Sequence, residues 1–124
     1  MKRIAQINML FIVILTVLTG IAIGAKKSGI TAAEEAGIKL LAMQKKGLIQ
    51  LNIDEPSTFM EVEPLAWKGL THKDKVNLIR TAMSFCNGLN QKGKKIMFVI
   101  LRDMTSGKKL ATGEVDKGRV DIHR

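Results

Sequence analysis

Charge is absent from residues 4–25, and residues 9–18 are apolar except for Thr16. Lys2 and Arg3 precede this run, and Lys26 and Lys27 follow it. A helix rises about 1.5 Å per residue, so about 20 residues cross a hydrocarbon core of about 30 Å. The pattern predicts a transmembrane helix, with membrane lipid contacting residues 4–25. A cleaved secretory signal is the alternative. Lys2-Arg3 gives its basic start, and Ala22-Ile23-Gly24 supplies small residues for cleavage near Gly24. The run exceeds the usual signal core of about 7–15 residues, which favours the anchor.

Beyond the leader the pattern changes period several times. Thr31-Ala32-Ala33-Glu34 is a capping-box pattern opening a helix with a modest apolar stripe at Ile38, Leu41, Ala42 and Met43. Lys45 and Lys46 fall at its negative end, and Gly47 stops it. Such a helix is a stalk, an interfacial helix on the bilayer, or a helix packed on the sheet that follows. From residue 48 to 54 the alternation of Ile49, Leu51 and Ile53 with polar residues predicts a half-buried strand. Residues 59–62 form a second extended stretch, ended by Pro64, whose ring biases Glu63 away from helix. Thr71 caps the clearest helix. Val76, Ile79, Met83 and Cys86 recur at helical spacing beside Leu78, Ala82, Phe85 and Leu89, and Asn87-Gly88 marks the end. Residues 96–101 then read as a central strand, 110–115 as its partner and 120–122 as a last short strand. Turns at Asp103–Gly107 and Asp116–Gly118 connect them.

This order predicts an α+β fold: an N-terminal transmembrane or signal helix, then a small antiparallel sheet covered by one or two helices. Three parts follow: residues 1–27 as anchor or signal, 28–47 as linker and amphipathic helix, and 48–124 as a small α+β domain.

Composition narrows the chemistry. With 46% apolar residues, the chain is too hydrophobic to be disordered. One Cys excludes a disulfide scaffold, and one Cys with two His excludes a zinc finger. Gly88 to Lys94 has the spacing of a phosphate loop. Lys95 replaces the hydroxyl residue, however, and the segment follows a helix instead of a strand. Cys86 lies on an apolar helix face, where burial makes a thiol unreactive. His72 and His123 are at solvated positions. Glu61 and Glu63 alternate along one strand face, with no base or metal to work with. Trp67 is expected to anchor the strand-to-helix turn on the core. No catalytic, cofactor-binding or metal residue is assigned, and no cofactor is expected.

Val62, Trp67, Leu70, Lys75 and Leu78, with Asp103, Ser106-Gly107-Lys108 and Leu110-Ala111, resemble a pattern in small uncharacterised bacterial envelope proteins. The resemblance covers residues 60–112. It implies a compact exported or anchored α+β domain and carries no activity.

Charge adds a partner surface. The chain has 20 Lys+Arg against 11 Asp+Glu, a net charge of +9, concentrated near the leader and in the last third. Lys92, Lys94, Lys95, Arg102, Lys108, Lys109, Lys117 and Arg119 form the candidate partner surface, read as a basic C-terminal hairpin. The expected function is a non-enzymatic envelope interaction or assembly module, anchored once in the inner membrane with its domain extracytoplasmic. An acidic protein is the expected partner. A nucleic-acid-binding domain at the membrane is one alternative, disfavoured because Phe98 is the lone aromatic in that region. An exported soluble protein, periplasmic or secreted after cleavage, is the other.

Overall fold

The computed structural model describes residues 31–123. The proposed membrane segment, residues 4–25, lies outside them. Among the described residues no helix is long and apolar enough to cross a membrane.

The fold is α+β. Helix α1 (Ala32–Lys45) is followed by strands β1 (Ile49–Asp54) and β2 (Ser57–Val62). Helices α2 (Pro64–Gly69) and α3 (His72–Gln91) come next, then β3 (Phe98–Asp103), β4 (Lys109–Glu114) and β5 (Arg119–Ile122). The five strands lie side by side in chain order, so β3 is central, as the apolar run predicts.

The expectation of an antiparallel sheet is corrected. Strands β2 and β3 are parallel, in register from Ser57 opposite Phe98 to Val62 opposite Asp103, while the other three pairs are antiparallel. The cause is α3. Its 20 residues span about 30 Å at 1.5 Å each, enough to return the chain along the length of the sheet. A strand that starts where β2 started must run parallel to it.

Helix ends follow local chemistry. The Thr31 hydroxyl accepts the Glu34 amide at 3.1 Å, and the Thr71 hydroxyl accepts the Asp74 amide at 3.2 Å. Gly47, at φ +75°, ends α1 as expected, with the Leu48 amide donating back to the Met43 carbonyl at 3.1 Å. Helix α3 departs from its expected end. It continues through Gly88 to Gln91 and closes at Gly93 (φ +103°), where the Lys94 amide donates to the Leu89 carbonyl. Gly88 is needed for a different reason: a Cβ there would lie 2.5 Å from the Ala33 Cβ. The glycine lets α1 and α3 approach.

Strand β3 also begins later than expected. The Asn90 side chain accepts the Ile96 amide at 2.7 Å and donates to the Ile96 carbonyl at 2.8 Å. Ile96 is thereby held in the core before pairing starts at Phe98.

Both long helices cover one face of the sheet. Leu40 and Met43 of α1 and Leu78, Ile79, Ala82 and Cys86 of α3 meet Met60, Val62, Val99, Leu101 and Ala111 in one core. Full burial of each large apolar side chain stabilises by about 1.5–3 kcal/mol. The helix expected at the chain's linker region thus contributes directly to this core. The alternating residues Phe59, Glu61, Phe98, Ile100 and Arg102 occupy the opposite face and are only half-buried.

Candidate interaction surface

The two ends of the sheet differ in charge, and chain direction decides which lysines meet. Helix α1 starts beside the C-terminal part of α3, where Ala33 faces Gly88, and it finishes beside the start of β1. Residue 31 therefore sits at one end, called the near end. There α3 finishes, β3 begins and the β1–β2 and β4–β5 turns lie. The far end holds the close of α1, all of α2, the start of α3 and the β3–β4 turn.

The eight residues of the expected surface divide between these ends. Lys92, Lys94, Lys95, Lys117 and Arg119 are exposed at the near end. They do not make a basic patch, because Glu34, Asp54, Glu55 and Asp116 are exposed at the same end. Glu114 takes both Lys117 and Arg119, each at 3.6 Å. Arg102 belongs to the uncovered sheet face. Its guanidinium lies 4.3 Å from the Phe59 ring centroid and 3.5 Å from Glu61. Lys108 and Lys109 are exposed at the far end.

Sequence spacing gave no warning of their neighbours there. Lys45 and Lys46 close α1 and Lys68 lies on α2, all exposed. Lys75 reaches over the Trp67 ring, with its Nζ 5.1 Å from the centroid. Backbone hydrogen bonds tie these segments to one end. The Glu63 amide donates to the Leu48 carbonyl beside α1, and the Asp103 amide donates to the Lys108 carbonyl. Lys68 is close enough to pull on the Asp103 carboxyl.

Of the far-end carboxylates, Glu63 and Asp103 are engaged locally, while Asp74 lies half-buried in the first turn of α3. The Glu63 carboxylate accepts the Ala66 amide at 2.7 Å and so caps α2. This corrects the expectation that Glu61 and Glu63 share a strand face: Pro64 starts a helix at once, which turns Glu63 into its cap. The Ser106 and Thr105 amides donate to Asp103 and hold its carboxyl below the ordinary value, with a smaller pull from Lys68. Leu65, on α2 between Glu63 and Lys68 in the chain, is 45% exposed.

The remaining candidate groups fall in ordinary places. Trp67 is buried in the core, and Cys86 is fully buried. The Cys86 thiol donates to the Thr58 hydroxyl at 3.4 Å, and burial pushes its pKa up. His72 and His123 are exposed, and His123 Nε2 lies 3.2 Å from the Thr112 hydroxyl. Gly88 and Gly93 both belong to the α3 terminus, so the segment that resembled a phosphate loop is a helix end. Among the described residues, no three His, Cys, Asp or Glu side chains are grouped to hold a metal ion. No protein-family model, curated protein or solved structure matches this chain.

Proposed function

We propose that this protein is a membrane-anchored, non-enzymatic interaction module of the bacterial envelope. Residues 4–25 serve as the single membrane span, and the α+β domain is displayed on the extracytoplasmic side. One observation carries the reading. The chain joins the domain at its charge-balanced near end, while the lysine-rich surface occupies the opposite end. An anchor and a contact surface at opposite ends suit a domain held on a membrane to meet something beyond it. The contact surface in this reading is assembled from α1, α2, α3 and the β3–β4 turn.

A topology reporter fused at the C terminus tests this, together with the mass of the membrane-extracted chain. The expected outcome is an extracytoplasmic reporter on a chain retaining all 124 residues. A cytoplasmic reporter overturns the display. A mass shortened by cleavage near Gly24 overturns the anchor in favour of an exported soluble domain.

A further inference from the structure

We propose that the far end of the domain docks an acidic segment of another protein, one with an apolar side chain among its carboxylates. The inference rests on the anchored reading only for the direction in which this end faces.

Charge complementarity supplies the first half. Lys45, Lys46, Lys68, Lys108 and Lys109 are exposed at one end of the sheet, brought together from four separate elements and turns. Glu63 is engaged as a helix cap, and Asp103 is held by two amides, so neither neutralises these lysines by a short ion pair. Leu65 supplies the second half. It is 45% exposed on α2, and Lys68 follows it by one helical turn, so the two share a face. An apolar centre ringed by charge is how protein contacts are built, with the apolar group giving burial and the rim giving orientation.

Other anionic partners fit less well. A nucleic-acid backbone presents continuous negative charge and offers no apolar group to the exposed Leu65. It would also find no ring to stack on, since Trp67 is buried and covered by Lys75. The bilayer proposed for the anchor lies at the other end. Residues 26–30 span at most about 18 Å when extended, whereas α3 separates the two ends by about 30 Å.

The test uses the full chain in zwitterionic nanodiscs and a short glutamate-rich peptide with one central leucine. Lys68→Glu is expected to weaken peptide binding about fivefold or more, and Leu65→Ala about threefold or more. Lys108→Glu repeats the charge test from a separate element. Arg80→Glu, the same charge change on the exposed flank of α3, is expected to leave affinity within about twofold. Equal loss in Arg80→Glu and Lys68→Glu overturns the far end as the site, and so does no loss in both Lys68→Glu and Lys108→Glu. An unchanged Leu65→Ala overturns the apolar contact. A DNA duplex or phosphatidylglycerol vesicle that binds more tightly than the peptide, with sensitivity to Lys68→Glu but not to Leu65→Ala, overturns a protein partner. Peptide binding reads the far end and the topology reporter reads the anchor, so either can fail while the other stands.

Discussion

The Cys86 thiol and the Thr58 hydroxyl form a polar pair inside the core, 3.4 Å apart and both fully buried. Thr58 belongs to β2 and Cys86 to α3, so the contact ties the helix layer to the sheet. Burial penalises the thiolate and outweighs the hydrogen bond that favours it, which raises the pKa. Thiol-specific labelling at mildly alkaline pH is therefore expected to run about a hundredfold slower in the native chain than in the unfolded one. Rates within about tenfold of each other would remove Cys86 from the closed core. The neighbouring sequence marks this residue as buried, because Cys86 continues the spacing of Val76, Ile79 and Met83. Its partner was not legible. Thr58 is 28 residues away and polar, and only its period-two spacing with Met60 and Val62, in a strand that begins before the expected residue 59, turns it inward.

At the scale of elements, the contact between α1 and α3 is tightest at one glycine. Gly88 is helical, and an added Cβ would meet the Ala33 Cβ at 2.5 Å, well inside ordinary contact. Neither atom can swing away, so relief requires the helices to part. Overpacking of this kind costs about 1–3 kcal/mol, against about 1 kcal/mol gained from alanine's helix propensity. Gly88→Ala is expected to lower the urea midpoint, and Ala33→Gly in the same chain to restore part of the loss. The double-mutant cycle should show a coupling of about 1 kcal/mol or more. Additive effects would mean that the helices do not meet at this pair. Asn87-Gly88 looks like a helix stop along the chain, because Asn-Gly is common punctuation. Only the facing helix shows that it answers a packing need, and the true stop is Gly93.

For the whole molecule, α1 decides whether the domain has two layers or one thin sheet with a single helix. Leu40 is fully buried in the core with residues of β1, β2, β3 and β4. Leu40→Ala is expected to cost about 2–5 kcal/mol. Far-UV circular dichroism and the fluorescence of Trp67, the only tryptophan, should report one coincident unfolding transition. A cost below about 1 kcal/mol, or separate transitions, would make α1 a detachable appendage. Its weak apolar stripe explains why a stalk or an interfacial helix competes with packing when the sequence is read alone. Ile38 and Leu41 are 45% and 57% exposed, while the buried face is Ala36, Leu40 and Met43. Ala33 and Gly37, which face α3, are small and add little to the apolar signal while allowing a close fit. By itself the sequence determined whatever a few neighbouring residues control: helix caps at Thr31 and Thr71, the period-two strand beginning at residue 49, the central apolar strand and the glycine turns. Direction along the sheet lay beyond it, because a crossover's length and packing depend on contacts between distant elements. That direction made β2 and β3 parallel. It also separated Lys92, Lys94, Lys95, Lys117 and Arg119 from Lys108 and Lys109. The surface it formed instead joins Lys45, Lys46 and Lys68 to the β3–β4 turn, because charges far apart in the chain become neighbours only when the core fixes which ends of its elements coincide.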